Sequence, residues 1–104
     1  RMIRPAVLIV LATLAGCTWV KLEESGSRVR VADASEALAG CQFRGDLTVM
    51  VTHRFGDIER NSLKVADELE TLARNEAVGM QANTIKPLSE PAGGEQRFGA
   101  YDCR

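Results

Sequence analysis

Aromatic residues are scarce in this sequence, and neither charge sign dominates. Aromatic residues make up 5% of the 104 positions, and the formal net charge is −1. No stretch interleaves aromatic residues with Lys or Arg, which is the pattern that binds single-stranded nucleic acids by stacking and phosphate contacts. We therefore expect no nucleic-acid partner. The aromatic residues are Trp19, Phe43, Phe55, Phe98 and Tyr101.

The residue groups that most enzymes and metal sites use are also missing. His53 is the only histidine, and no Ser or Cys in an elbow-like turn adjoins it, so we predict that it is a loop or solvated residue. No Cys-x-x-Cys pair indicates thiol redox chemistry, and no glycine-rich loop follows a strand-like segment. We predict that the chain is not an enzyme and has no metal, cofactor or small-molecule substrate. The carboxylates of Glu68 and Glu70 are predicted to be solvated.

A long hydrophobic run is absent as well. The apolar run covers residues 6–15, which is half of the about 20 residues that a membrane-spanning helix needs. Arg1 and Arg4 precede it, and a basic start followed by a short apolar block is typical of a secretory signal peptide. We expect residues 1–16 to be such a signal and not a permanent span.

The apolar run ends in Leu14-Ala15-Gly16-Cys17, which resembles the lipobox of bacterial lipoprotein precursors. Small residues before the cysteine suit an extended backbone in a peptidase site, and the Cys17 thiolate is the nucleophile that receives a diacylglyceryl group. The resemblance implies cleavage before Cys17 and acylation of its amine. Two or three acyl chains hold a protein firmly on a membrane, since each buried CH₂ contributes about 0.8 kcal/mol.

The residue after the lipidated cysteine suggests which membrane carries the chain. In Gram-negative lipoproteins an aspartate at that position favours retention at the inner membrane, whereas this chain has Thr18. We therefore expect the periplasmic face of the outer membrane, with the inner membrane as the alternative. Loss of Arg1 and Arg4 with the signal peptide would leave a mature chain with a formal net charge near −3, from 11 basic and 14 acidic residues.

The two remaining cysteines predict a disulfide. Three cysteines are present, and an even remainder in an exported chain indicates a bridge, here between Cys41 and Cys103. Two free thiols are the alternative. A bridge that closes a loop of about 62 residues stabilises a chain by roughly 4 kcal/mol through lost loop entropy. For a small domain that contribution would be comparable to the whole net stability.

A helix is the clearest predicted element. Apolar residues recur every three or four positions over residues 61–80, with Asn61 or Ser62 as the predicted N-cap and Gly79 as a left-handed glycine at the end. A short helix of one or two turns is also predicted for residues 33–38, opened by a capping box. The apolar stripe of the long helix comprises Val65, Ala66, Leu69, Leu72, Ala73, Ala77 and Met80.

Four short segments have strand character. They are residues 27–31, 47–52, 82–88 and 97–103, the third closed by Pro87 at its end or on an edge. Residues 53–57 are predicted to be a polar break. We expect an α+β fold, with a small antiparallel or mixed sheet and the long helix packed on one face. We expect residues 17–27 to be a lipidated tether and residues 28–104 to be the periplasmic domain.

Several of these features together resemble a known family. The lipobox, a cysteine ahead of the central strand, the helix, "MQAN" at 80–83 and "AYDC" at 100–103 are similar to a family of small bacterial lipoproteins catalogued as a domain of unknown function. The chain is more distantly similar to the outer-membrane lipoprotein that senses envelope stress for the Rcs phosphorelay. That sensor has a longer proline-rich linker and two disulfides, so the resemblance implies a shared fold more than shared signalling.

The expected function is a binding or sensing module, held by the lipid on Cys17 and touching an outer-membrane or other envelope protein. The alternative is a structural or accessory lipoprotein of an envelope assembly. An exposed apolar patch would favour the first interpretation, because soluble surfaces seldom expose a large contiguous one without a partner.

Overall fold

The computed structural model describes residues 20–104. The predicted signal peptide, the lipobox residues Leu14, Ala15 and Gly16, the acylation site Cys17 and the beginning of the tether lie outside the described residues. Within the described part, none of the helices combines the length and the apolar character that crossing a membrane requires.

The described residues form an α+β fold, as predicted. A four-stranded sheet has the order β1-β5-β6-β2, in which only the β1–β5 pair is parallel, and β3 and β4 pair separately as a small hairpin. The elements along the chain are β1 (Arg30–Val31), β2 (Gln42–Met50), β3 (Arg54–Phe55), β4 (Ile58–Glu59), α1 (Ser62–Gly79), β5 (Thr84–Pro87) and β6 (Glu95–Asp102).

The core lies between α1 and one face of the sheet. Side chains of a strand alternate between its two faces, so β2 buries Leu47 and Val49 while β6 buries Phe98 and Ala100 on the same side. The helix supplies small residues at the contact, which lets it approach the sheet closely. The buried helix residues are Val65, Glu68, Leu69, Ala73 and Ala77.

The helix begins as predicted and ends differently. The Asn61 side chain is the N-cap and accepts hydrogen bonds from the backbone N–H groups of Leu63 and Lys64, at 2.8 and 3.2 Å. Gly79 was predicted to be left-handed, but that prediction is wrong. The left-handed residue is Gln81, with φ 60°.

The end of α1 has the hydrogen-bond pattern of a Schellman motif. The N–H of Gln81 donates to the carbonyl of Val78, and the N–H of Ala82 donates to the carbonyl of Ala77, both at 3.0 Å. These bonds satisfy carbonyls that would otherwise be left at the helix end. The turn into β5 therefore depends on a non-glycine residue in a conformation that glycine adopts more easily.

The four predicted strands all have limits different from those expected, and the short helix predicted for residues 33–38 is absent. Strand β2 starts at Gln42, five residues before the predicted strand at 47–52, because residues 42–46 pair with the end of β6 across a bulge at Arg44. Residues 33–38 form one turn, at residues 34–35, and otherwise irregular backbone. There the Glu36 carboxylate binds the Arg30 guanidinium at 2.8 Å, and its backbone carbonyl accepts from Lys86 Nζ at 2.6 Å.

The predicted tether is attached to the helix over much of its length. The side-chain amide of Asn75 accepts from the N–H of Glu23 at 2.9 Å and donates to the carbonyl of Lys21 at 2.8 Å. The Arg74 guanidinium donates to the carbonyls of Ser27 and Val29. We call residues 20–29 the crossing segment, because it leads across α1 to the β1 edge of the sheet.

Candidate functional surfaces at the two ends of the sheet

The disulfide predicted between Cys41 and Cys103 is confirmed. The two Cα atoms lie 4.3 Å apart, and the bridge joins the residue before β2 to the residue after β6. Among residues 20–104, no three His, Cys, Asp or Glu side chains come together as metal ligands would. We call this end of the sheet the disulfide end.

A side-chain amide reinforces the disulfide end. Asn83 accepts from the N–H of Cys103 at 2.8 Å and donates to the carbonyl of Cys103 at 2.7 Å. Its backbone N–H donates to Tyr101 and its carbonyl accepts from Arg30. Asn83, just before β5, thus continues the pairing with β6 as far as Cys103 and links the disulfide to β1.

An aromatic pair lies on the sheet face opposite α1, at the disulfide end. The rings of Phe43 and Tyr101 have centroids 5.3 Å apart at an interplanar angle of 59°, within the range of favourable aromatic contacts. The Tyr101 ring covers Gly99, where a Cβ would lie 3.0 Å from the ring, so a side chain there would require the ring to shift. Phe43 is nevertheless 56% exposed.

The face around this aromatic pair combines apolar and charged side chains. Asp46 and Thr48 of β2 are exposed on it, and Arg97 of β6 pairs with Thr48 across the strands. Aromatic residues and arginine are the types that dominate binding energy in protein interfaces. We call Phe43, Asp46, Thr48, Arg97 and Tyr101 the open sheet face.

The opposite end of the sheet carries a hairpin that was predicted to be a polar break. Phe55 and Ile58 face each other across a Gly56-Asp57 turn in which Gly56 has φ 61°. A two-residue turn with glycine first is typical of hairpins. The sequence contained this signal, since Gly-Asp stands between two apolar residues, and the prediction for residues 53–57 missed it.

The hairpin has an apolar side and a charged side. Phe55 is 59% exposed and Ile58 is 70% exposed, while the neighbouring pair of Arg54 and Glu59 lies on the other side. Met50, at the end of β2, is 67% exposed. We call Met50, Phe55 and Ile58 the apolar hairpin surface.

A partly buried ion pair fixes this hairpin to the helix. The Arg60 guanidinium makes two hydrogen bonds to the Glu68 carboxylate, at 3.0 and 2.7 Å, and a third to the carbonyl of Thr52 at 2.6 Å. The pKa of Arg60 is raised, mainly by the hydrogen bonds that it donates to the Glu68 carboxylate. The hairpin is thereby held by a charged residue at its base.

The prediction that Glu68 is solvated is wrong, because its side chain is 9% exposed and paired. Its position gave a signal that the prediction did not use. Glu68 lies three residues after Val65 and four before Leu72, within the apolar stripe. A carboxylate in an apolar stripe requires a cation nearby, since burying an unpaired charge is costly. Glu70 is only partly exposed.

The base of the hairpin borders two cavities. One cavity of about 210 Å³ is lined by Val20, Met50, Phe55 and Leu72, among others. The other, of about 170 Å³, is lined by His53 and by the turn at Gly93 and Gly94. His53 is a half-buried loop residue there, and Val20 brings the beginning of the described chain to the first cavity.

Comparison with known proteins gives one match. Residues 20–103 match DUF4156, a domain of unknown function. The match starts at Val20, earlier than the domain boundary expected at residue 28, so it includes the whole crossing segment. No curated protein and no solved structure matches the chain. Since the match covers most of the sequence, the chain belongs to the DUF4156 family.

Proposed function

We propose that this chain is a lipid-anchored protein of the bacterial envelope, whose domain is a binding or sensing module at the periplasmic face of the outer membrane. Cys17 would carry the lipid, and the domain would contact an outer-membrane or other envelope protein. The proposal includes no catalytic step, no cofactor and no small-molecule substrate.

The observation that favours a binding module is the open sheet face. Phe43 is held against Tyr101 by the strand register and by Gly99, and it remains more than half exposed. A rigid exposed aromatic residue loses little conformational entropy on binding, which is the property of interface anchors.

A role in sensing envelope stress, which the resemblance to the Rcs sensor suggests, would be a more specific form of the same proposal. Among residues 20–104 there is one disulfide, whereas that sensor has two. We therefore propose contact with an envelope protein and leave the Rcs pathway out of the proposal.

The anchor is tested by the intact mass of the protein purified from membranes of a Gram-negative host. The expected mass corresponds to residues 17–104 with a triacyl group and two fewer hydrogens, and reduction followed by alkylation should label two thiols. A mass that retains residues 1–16, or that lacks lipid, would contradict the anchor.

The binding module is tested by photo-crosslinking in cells. A photoreactive residue at Phe43 should give one discrete protein adduct, and Arg97→Glu on the same face should weaken it. The matched control is a photoreactive residue at Leu63, which is 78% exposed at the start of α1. Equal adducts from Phe43 and Leu63, or adducts insensitive to Arg97→Glu, would count against the open sheet face.

A further inference from the structure

We infer that the apolar hairpin surface is a membrane-docking surface. It inserts at the boundary between acyl chains and water, in the leaflet that carries the lipid of Cys17. This inference rests on the proposed anchor and names the bilayer as the occupant of the surface. It is independent of which protein binds the open sheet face.

The beginning of the described chain lies next to the apolar hairpin surface. Val20 lines the same cavity as Met50 and Phe55. Cys17 precedes Val20 by three residues, and three residues extend over at most about 11 Å. An acyl group on Cys17 therefore brings this cavity close to the bilayer surface. The disulfide end of β2 is far from it, because the seven residue steps from Phe43 to Met50 span about 23 Å.

The hairpin separates its apolar groups from its charged groups. Phe55 and Ile58 lie side by side on one side, and Arg54 and Glu59 on the other. An element with one apolar and one charged side is suited to the boundary between acyl chains and water. Two-residue strands bury little themselves, so these exposed apolar side chains have no evident role in the core.

The base of the hairpin is held rigidly against α1. The Arg60–Glu68 pair and the bond from Arg60 to Thr52 fix the hairpin relative to α1. A fixed hairpin would set the orientation of the domain on the membrane. The lipid supplies the local concentration, so the hairpin itself needs only weak affinity.

The charges around the hairpin predict whether docking needs anionic lipids. The exposed charges of the hairpin, Arg54, Asp57 and Glu59, sum to −1, and Arg60 is neutralised by Glu68. The exposed Lys21 beside Val20 brings the local sum to zero, so attraction to anionic lipids contributes little. We expect docking to neutral phosphatidylcholine vesicles and little change with added salt.

The test uses single-tryptophan variants of the lipidated full chain in phosphatidylcholine vesicles. In a Trp19→Phe background, Phe55→Trp is compared with Phe43→Trp, because the two phenylalanines are 59% and 56% exposed and lie at opposite ends of the sheet. Phosphatidylcholine brominated near the headgroup should quench the Phe55→Trp emission and shift it to shorter wavelength, and should leave Phe43→Trp unchanged.

Each outcome decides something. A lipidated protein that floats with the vesicles but whose Phe55→Trp emission is not quenched overturns the docking inference and leaves the anchor intact. Equal quenching at both positions also overturns it, because docking through the hairpin requires a difference between the ends. A chain whose mass lacks lipid overturns the anchor, and the inference with it. A shift of the Phe55→Trp emission that appears with solubilised envelope proteins and not with brominated phosphatidylcholine vesicles would overturn the bilayer as occupant and identify a protein instead.

Discussion

Gln81 has the conformation that glycine usually provides at a helix end. A non-glycine residue in the left-handed region costs roughly 1–2 kcal/mol, and here it lies between α1 and β5. Both flanking amides, those of Gln81 and Ala82, are already used in the Schellman bonds. The conformation is therefore imposed by the turn and not by the side chain.

We expect Gln81→Gly to stabilise the domain by about 1 kcal/mol, because glycine relieves the positive φ and loses only part of that gain to its greater freedom when unfolded. Urea unfolding of purified protein measures the change. Gln81→Ala is the matched control and should give no gain. Equal gains from both variants would mean that loss of the glutamine side chain, and not the backbone conformation, is responsible.

The contact between Glu36 and Arg30 should make a contribution to stability that is lost in acid. The Arg30 guanidinium, bonded to the carboxylate, lowers the pKa of Glu36 below its usual value. The folded state then binds fewer protons than the unfolded state, so the contribution is present above the ordinary glutamate pKa of about 4.3 and is lost as the pH falls through the lowered value.

We expect Glu36→Gln to lower the melting temperature modestly at neutral pH and to have no effect at strongly acidic pH. Melting curves of both proteins across the acid range measure this convergence. Glu90→Gln, at an exposed position, is the control. A difference that persists unchanged into acid would contradict the role of the Arg30–Glu36 contact.

At the scale of elements, the hairpin depends on the ion pair at its base. Removing one partner of a buried pair leaves the other charge without compensation, which is more costly than the pair is worth. Arg60 also fixes Thr52 and donates its backbone N–H to His53. The loss of Glu68 should therefore reach the hairpin and the end of β2 together.

We expect Glu68→Gln to lower the melting temperature by about 5 °C or more and to increase hydrogen exchange at the amide of Arg60. Glu76→Gln, exposed on the same helix, is the matched control and should leave both unchanged. A Glu68→Gln protein with unaltered exchange at Arg60 would mean that the hairpin is held by other contacts.

The elements differ in how far the sequence could predict them. The helix at 62–79 was predicted almost to the residue, because the Asn61 cap and the apolar stripe are local signals. The extension of β2 to Gln42 could not be read locally, since it depends on pairing with β6 across the bulge. Residues 33–38 have a capping pattern, but Glu36 is used by Arg30, a contact that sequence spacing does not reveal.

At the scale of the whole molecule, the disulfide joins the two longest strands. Loss of the bridge restores the entropy of a loop with a sequence separation of 62 residues. Strands β2 and β6 are adjacent in the sheet, so their pairing and the bridge support each other.

We expect the Cys41→Ser, Cys103→Ser variant to lose about 4 kcal/mol of unfolding free energy in oxidising buffer, measured by urea unfolding. The unmodified protein in reducing buffer is the control and should lose a similar amount. A double variant as stable as the oxidised protein would mean that the bridge does not limit the unfolded state.

The sequence predicted the fold class and the disulfide, and it left the functional surfaces undetermined. Cysteine count and apolar periodicity suffice for the first two. The open sheet face depends on Phe43 and Tyr101 meeting across strands, and the apolar hairpin surface depends on the end of β2 lying near Val20. Both are long-range contacts, which periodicity does not encode.

The crossing segment gives the molecule a mechanical property. If the lipid holds one end of the chain and a partner holds the sheet, tension reaches the Asn75 contacts at Lys21 and Glu23 first and the Arg74 contacts at Ser27 and Val29 next, because they lie in series along the crossing segment. Unravelling stops at Cys41, where the bridge to Cys103 closes the rest of the chain. Residues 20–41 extended span about 75 Å. Under such tension the chain would extend only to a maximum length that the covalent bridge sets.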